Sequence, residues 1–209
     1  MARIGPFEQY SKQYESWFHQ NKFAYQSELA SVKRIIPMNG KGIEVGVGSG
    51  RFAGPLDIKI GIEPSQKMIR MAVQRRIRII QGVAETLPIK DEKFHFVLMV
   101  TTICFLDDIE KALNESYRII KADGCIIVGF VDKKSLIGKQ YQKNKNQSLF
   151  YSEADFFSAD EVLFYLQQAG FRDFSFYQTI HKPLKNIKKI EPIEHGYGDA
   201  SFVIIKGEK

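Results

Sequence analysis

The stretch that decides the fold is Gly42-Ile43-Glu44-Val45-Gly46-Val47-Gly48-Ser49-Gly50, an apolar run that ends in closely spaced glycines. The run from 42 to 47 predicts a first strand, because it is short, apolar and bounded by glycine. Glycines directly after a strand allow a sharp turn and let a ligand approach the main chain closely. In α/β sheets, ligands bind at the carboxyl ends of strands. The turn alone is weak evidence for a site, since plain loops contain such turns too.

Apolar runs and helical patterns alternate after this turn. Further strands are predicted at 58–62, 77–81, 94–100 and 125–131, with helices at 65–75 and 109–120. The first, fourth and fifth runs are almost continuously apolar, which is typical of parallel strands that are covered on both faces. The sequence therefore predicts an α/β fold with a doubly wound, mostly parallel sheet and helices on both faces.

An N-terminal helical extension is predicted over residues 1–36. Its aromatic residues recur every three or four positions, which places them on one face of a helix. They are Phe7, Tyr10, Tyr14, Trp17 and Phe18. This face has two interpretations: it packs against the sheet, or it forms a lid in which Tyr14 or Trp17 closes over a ligand.

The 209 residues are predicted to form a single domain, because this length supports one well-buried α/β core. The core is predicted at 41–131. A C-terminal helix at 158–169 and strands at 171–177 and 201–205 follow it. The segment 132–157 is predicted to be an insertion over the active face, and its polar part up to Ser148 is a candidate mobile loop.

The composition is that of an ordinary globular protein, with 44% hydrophobic and 26% charged residues and a net charge of +6. The lysines are spread widely, so nucleic acid is not favoured as a partner. No apolar run is long enough for a membrane span, and none follows Met1–Pro6 as it would in a signal peptide. We therefore expect a cytoplasmic protein. Cys104 and Cys125 should be unpaired, because they lie at opposite ends of parallel strands.

The spacing of the glycines distinguishes two classes of nucleotide site. A dinucleotide-binding turn reads G-x-G-x-x-G and needs glycine at the position of Arg51. The third glycine here is Gly50, which disfavours a nicotinamide-dependent oxidoreductase. Glu63, at the end of the second strand, can accept hydrogen bonds from both ribose hydroxyls of an adenosine, and Pro64 starts the next helix.

The loop Gly82-Val83-Ala84-Glu85-Thr86-Leu87-Pro88 follows the third strand. Ala84 leaves room for a flat base, and Glu85 or its backbone can meet an exocyclic amine. The glycine turn, the stretch Gly61-Ile62-Glu63-Pro64-Ser65 and this loop follow one another in the chain. This ordered set resembles the class I, seven-stranded S-adenosylmethionine-dependent methyltransferases, particularly their broad small-molecule group. The resemblance covers 41–130, includes a turn at 117–124 before the fifth strand, and resumes at 157–162 and 169–171.

The resemblance implies S-adenosylmethionine as cofactor and a sheet order of 3-2-1-4-5-7-6 with an antiparallel seventh strand. It implies that the glycine turn shapes the methionine pocket, that the second strand ends at the ribose and that the loop after the third strand flanks adenine. The methyl group would meet its acceptor after the fourth strand. The cofactor-binding residues implied are Glu44, Gly46, Gly48, Gly50, Glu63, Pro64, Ala84, Glu85, Thr101 and Thr102, with Tyr14 as a lid residue.

Family patterns that this chain lacks narrow the chemistry. After the fourth strand it reads Thr101-Thr102-Ile103-Cys104, rather than the Asn/Asp-Pro-Pro-Tyr/Phe of enzymes that methylate exocyclic amines of nucleic-acid bases. Ile103 stands where cytosine C5 methyltransferases have proline before their nucleophilic cysteine. Magnesium-dependent members carry metal-binding acids after strands 4 and 5. Asp132 stands after strand 5, but the first residue after strand 4 is Thr101, which is not an acid, so no metal is predicted.

The topology gives a prediction for the methyl acceptor. The connections 132–157 and 180–199 are both expected to leave the sheet at the edge that carries the cofactor. Their basic residues favour an anionic or polar small-molecule acceptor, and His195 or Tyr197 is the candidate proton acceptor. Two alternatives stay open: both segments are plain solvated loops, or the protein binds an adenosyl ligand without catalysis.

Overall fold

Residues 3–209, which the computed structural model describes, contain eight strands in one sheet. They are β1 (Gly42–Val45), β2 (Ile60–Glu63), β3 (Arg78–Gln81), β4 (Phe94–Val100), β5 (Ile120–Val131), β6 (Arg172–Thr179), β7 (Glu194–His195) and β8 (Phe202–Glu208). The sheet order is β3-β2-β1-β4-β5-β8-β6-β7. Strands β1 to β5 are parallel, and β8 runs antiparallel to both β5 and β6.

The predicted strand order is confirmed, with β8 as the antiparallel seventh strand of the prediction. The structure adds β7, which has two residues and pairs antiparallel with β6 at the edge of the sheet. A strand of two residues gives no alternating or apolar pattern that a sequence could reveal. The central strands β1, β4 and β5 are buried along most of their length, in agreement with their continuous apolar runs.

Seven α-helices lie within residues 3–209. They are α1 (Gly5–Gln9), α2 (Ser11–Gln20), α3 (Lys22–Ile35), α4 (Gln66–Gln74), α5 (Ile109–Ile119), α6 (Leu136–Lys143) and α7 (Ala159–Gln168). Leu113 of α5 and Leu166 of α7 belong to the core on one face of the sheet. Val32 of α3 and Ile137 of α6 belong to the core on the other face. The predicted helices on both faces are therefore confirmed.

The strand β5 begins five residues earlier than the sequence pattern predicts. The sequence predicts a helix at 109–120 and a strand at 125–131, but α5 ends at Ile119 and β5 starts at Ile120. The physical reason is that Ile120 is fully buried and pairs with Phe94. The register between β4 and β5 then shifts between Phe94 and Phe96.

The segment predicted as a loop after β5 contains α6. The Ser135 side chain caps this helix by accepting a hydrogen bond from the Gly138 amide at 3.0 Å. A Cβ on Gly138 would lie 2.0 Å from the Asp132 carbonyl oxygen, so glycine is what lets the helix pack tightly on the chain that precedes it. Buried Ile137 fastens the helix to the core. Because the residues around Ile137 are mostly polar, the sequence shows no apolar periodicity that would predict this helix.

Both cysteines are free, as predicted. Burial raises the pKa of Cys104 and of Cys125 to about 12, so neither thiol is a ready nucleophile. Among residues 3–209, no helix is both long and apolar enough to cross a bilayer.

Candidate active site

The loop after β1 presents its main chain to a cavity at the carboxyl edge of the sheet. Gly46 and Gly48 line this cavity and have φ of +71° and +54°, a left-handed conformation that favours glycine. A Cβ on Gly46 would lie 2.4 Å from Cγ2 of Thr102. A Cβ on Gly48 would lie 3.1 Å from the Tyr14 hydroxyl. Side chains at either position would therefore displace a neighbour or fill ligand space.

Glu44 of β1 and Gly50 at the end of this loop are not among the residues that line the cavity. Glu44 is 1% exposed, and its Oε2 has no hydrogen-bond partner among residues 3–209. Burial raises the pKa of this carboxyl well above its ordinary value. A Cβ on Gly50 would lie 2.4 Å from Cδ1 of Ile77. In this arrangement both residues influence the cavity through the shape of the loop rather than by contact.

Glu63 ends β2 and lines the cavity beside the glycine loop. Its Oε2 accepts a hydrogen bond from the Gly48 amide at 2.8 Å, and its Oε1 accepts one from the Ser65 amide at 2.9 Å. Burial raises the pKa of Glu63 to about 7, although the two amides act in the opposite direction. Each carboxylate oxygen retains a second lone pair, so hydroxyl groups of a ligand can still donate to it. Pro64 lies next to it in the wall.

The ends of β3 and β4 supply the next part of the wall, with Ala84, Glu85, Thr101 and Thr102. Oε1 of Glu85 accepts a hydrogen bond from the Asp107 amide at 2.8 Å, which ties the two loops together. Thr101 has φ of +53°, an unfavourable conformation for a β-branched residue. The structure thus brings together the residues predicted at the strand ends.

The cavity extends across the strand ends from β2 to β5, with an empty volume of about 1290 Å³ that includes its open mouth. One end, the β2 end, is lined by Glu63, Pro64 and the residues of 82–85. The opposite end, here called the β5 end, is formed by Glu28, Val131, Tyr141 and Tyr151. Because β1 and β4 lie between β2 and β5, three strand spacings of about 4.8 Å separate the ends by roughly 14 Å.

The N-terminal extension covers the cavity. Phe7, Tyr14, Trp17 and Phe18 line it, and Phe18 also belongs to the core on that face of the sheet. The packing interpretation of the aromatic face is therefore met by Phe18, and the lid over a ligand stays a prediction. Glu15 fastens α2 to the rest of the protein. Its Oε2 lies 2.5 Å from Nη2 of Arg51 and 2.6 Å from Nη2 of Arg75.

The insertion 132–157 contributes aromatic rings rather than charge to the cavity. Tyr141, Phe150 and Tyr151 line it. The nearby lysines lie outside the wall, where Lys134 pairs with Asp160 at 2.6 Å and Lys133 pairs with Glu161. Asp132 is structural, because its two carboxylate oxygens accept hydrogen bonds from the amides of Lys134 and Ala159. Lys134 lies two residues before α6, and Ala159 is the first residue of α7.

The connection 180–199 leaves the expected edge of the sheet but lies beside the cavity, not over it. None of its residues is in the cavity wall, since it packs on α3, where the Glu191 amide donates to Oγ of Ser27 at 2.8 Å. His195 is exposed on β7, with its ring 4.5 Å from that of Tyr177. The Tyr197 hydroxyl donates to Asp160 at 3.1 Å. Neither candidate proton acceptor faces the cavity.

Glu28 is a cavity residue to which the sequence analysis assigned no role. It lies on α3, is 8% exposed and lines the β5 end. Burial raises the pKa of its carboxyl to about 8. One signal was present in the sequence: Glu28 is four residues from buried Ala24 and four from buried Val32, so an acid stands on the apolar stripe of the helix.

This fold and cavity define a class of protein. A parallel sheet in this order, with a glycine turn after β1 and an acid after β2 at one edge, is the arrangement of the class I methyltransferases. A family model described as a methyltransferase domain matches residues 43–128.

Comparisons of sequence and structure agree with that class. A solved Thermotoga maritima structure, described as an S-adenosylmethionine-dependent methyltransferase and possible histamine N-methyltransferase, is 50% identical, covers 99% of both chains and has a TM-score of 0.97. An uncharacterized Methanocaldococcus jannaschii protein is 42% identical over 97% of this chain and 98% of its own. A Haemonchus contortus N-methyltransferase structure shares the fold, with a TM-score of 0.65 and 15% identity over 88% of this chain and 52% of its own. The chain belongs to the S-adenosylmethionine-dependent methyltransferases.

Proposed function

We propose that this protein transfers a methyl group from S-adenosylmethionine to a small molecule held at the β5 end of the cavity. The observation that carries the proposal is the continuity of the cavity from Glu63 past the glycine loop to Glu28. Such a space accommodates two ligands side by side, with their reacting groups near Thr101 and Thr102. A protein that only binds an adenosyl ligand does not require a second end, so the β5 end favours catalysis over passive binding.

The residues at the β2 end fit the cofactor. The main chain at Gly46 and Gly48 is open to a ligand, Glu63 can accept from ribose hydroxyls, and small Ala84 leaves space for a base. When bound, S-adenosylmethionine supplies an activated sulfonium methyl group. The chain's own contribution is to orient the acceptor and to exclude water with the rings of Phe7, Tyr14 and Phe150, and orientation alone can supply roughly 7–11 kcal/mol.

A nicotinamide-dependent oxidoreductase has less support. The position where a dinucleotide fold needs its third glycine carries Arg51, and its guanidinium is held by Glu15 and stacks over the Phe18 ring at 5.1 Å. Arg51 therefore binds the N-terminal extension, whereas a glycine at this position would leave space for a pyrophosphate.

Thermal unfolding with S-adenosylmethionine, S-adenosylhomocysteine and NADH tests the proposal. A ligand at 100 times its dissociation constant adds about 2.7 kcal/mol, which raises the midpoint by roughly 5–11 °C in a chain of this size. We expect that rise with both adenosyl ligands and none with NADH. A rise with NADH alone would overturn the proposal. Transfer of labelled methyl to amines, phenols and carboxylates then separates catalysis from passive binding.

A further inference from the structure

We infer that the β5 end is a binding site for a protonated amine, with Glu28 as its carboxylate partner and the rings of Tyr141 and Tyr151 as its walls. The inference rests on the proposed function, because it names the chemical class of acceptor that this end would take. It assigns no proton transfer to Glu28, only recognition of positive charge.

The first step of the argument is the isolation of the Glu28 carboxyl. Among residues 3–209, no side chain or amide donates a hydrogen bond to it and no cation pairs with it. Burying an ionised carboxylate without a partner is costly, and buried polar groups in folded proteins nearly always have one. An acid that is more than nine-tenths buried and faces a cavity is therefore suited to a partner that arrives with the ligand.

The second step is the character of the walls. The rings of Tyr141 and Tyr151 stack with centroids 4.7 Å apart and line the same cavity as Glu28. Burial raises the pKa of both phenols, and the Glu28 carboxyl adds to this effect. Aromatic faces attract cations, by about 2 kcal/mol or more when the cation is desolvated. A carboxylate among aromatic rings is an arrangement that favours an ammonium group over a neutral or anionic one.

The third step is the balance of charge around the cavity. Its wall contains three glutamates, Glu28, Glu63 and Glu85, and Arg3 is its one basic residue among the residues described. Arg3 is already paired with Asp155 at 2.8 Å and donates to the Glu153 carbonyl oxygen at 2.6 Å. The basic residues that favoured an anionic acceptor lie outside this wall.

The fourth step separates Glu28 from the other two glutamates. Glu63 is next to the glycine loop and accepts from two amides, and Glu85 is bound to the Asp107 amide. Both lie toward the β2 end, where the cofactor is proposed to bind. Glu28 is the acid that remains for the acceptor.

Isothermal titration of the full chain saturated with S-adenosylhomocysteine tests the inference with three compounds of similar size: 2-phenylethylamine, 2-phenylethanol and 3-phenylpropionate. We expect the amine to bind at least about tenfold more tightly than the alcohol, and the carboxylate to bind weakest. Glu28→Gln keeps the shape and should weaken amine binding roughly 10–100-fold while leaving the alcohol unchanged. Glu28→Asp should restore part of the loss.

Proton release distinguishes recognition of the amine by Glu28 from a purely structural role of this residue. A structural role would not change the number of protons released on binding. The phenols of Tyr141 and Tyr151 line the same end of the cavity as Glu28, and no charged side chain contributes to the raised pKa of Glu28. An ammonium beside Glu28 lowers that pKa, so amine binding near pH 7 should release up to about one proton in the wild type and none in Glu28→Gln. Titration in buffers of different ionisation enthalpy measures this release.

The control is Glu191→Gln, which changes a buried carboxylate that is outside the cavity wall and should leave amine binding unchanged. If S-adenosylhomocysteine fails to bind, the proposed function fails. If it binds but the amine binds no better than the alcohol, or not at all, this inference alone is overturned. Preference for 3-phenylpropionate would also overturn it, in favour of an anionic acceptor.

Discussion

The two ends of the cavity are built by different means. The β2 end consists of turns that directly follow strands, and its main features are main-chain conformation at Gly48 and a carboxylate held by amides at Glu63. The β5 end is assembled from α3, β5 and the insertion, and its features are side chains from residues far apart in sequence. Local geometry therefore fixes the β2 end, while long-range packing fixes the β5 end. Variants that affect one end and spare the other test this division.

Gly48→Val should have the largest effect. The branched side chain would be built at φ of +54°, with its Cβ 3.1 Å from the Tyr14 hydroxyl, and it would occupy ligand space. We expect affinity for S-adenosylhomocysteine to fall by about 100-fold or more in calorimetry. Gly196→Val is the matched control, because Gly196 has φ of +90° and open space around its Cβ. Equal losses in both variants would show that backbone strain, not ligand space, is responsible.

Glu63→Ala should come next. Removing a charged acceptor of hydrogen bonds costs about 1.5–3 kcal/mol, hence roughly 10–150-fold in affinity for S-adenosylhomocysteine. Glu8→Ala is the control, since Glu8 is bonded to Ser65 nearby but does not line the cavity. In the wild type the affinity should rise as the pH increases through about 7, because ribose hydroxyls donate best to the ionised carboxylate. A mutant within threefold of wild type would remove Glu63 from the ribose site.

Glu28→Gln should affect the stability of the ligand-free protein in a pH-dependent way. The folded pKa of about 8 is above the unfolded value of 4.5. The stability linked to this carboxyl is thus complete below pH 4.5 and is lost as the pH rises through 8. Between pH 5 and pH 8.5 the wild type should lose about 4 kcal/mol that Glu28→Gln does not lose, so the melting midpoint of the variant should rise relative to wild type by roughly 8–16 °C. A difference in melting midpoint between Glu28→Gln and wild type that stays constant with pH would contradict this account. So would a Glu28→Asp variant whose midpoint follows that of Glu28→Gln at every pH.

The contrast between the ends also explains what the sequence could predict. The strand order and the positions of Gly46, Gly48, Glu63 and Ala84 at one cavity follow from local patterns, because turn, strand and motif are contiguous in the chain. The insertion was predicted to lie at this edge of the sheet, and its residues Tyr141, Phe150 and Tyr151 do line the cavity. That this part of the cavity binds the acceptor stays a proposal.

The placement of His195 and Tyr197 was missed for a physical reason. Topology specifies the edge from which the connection 180–199 leaves the sheet, but not its lateral position, which is set by packing against α3 through Ser27. Glu28 was missed because a single acid on an apolar stripe has no motif around it. The role proposed for it depends on Tyr141, which is more than 100 residues away in the chain.

The smallest expected effect concerns Thr101, where the two ends of the cavity meet. Its φ of +53° is a strained conformation for a residue with a Cβ, and glycine is free of that strain. In ordinary strand or helix positions, glycine is less stable than alanine by roughly 0.5–1 kcal/mol. At Thr101 the order should reverse, with Thr101→Gly more stable than Thr101→Ala by about 1 kcal/mol in urea denaturation, because only alanine retains the left-handed penalty. Thr86→Gly and Thr86→Ala, which change a threonine that has a negative φ, should show the ordinary order. If alanine is the more stable residue at both positions, the backbone at the meeting point of the two ends is not strained.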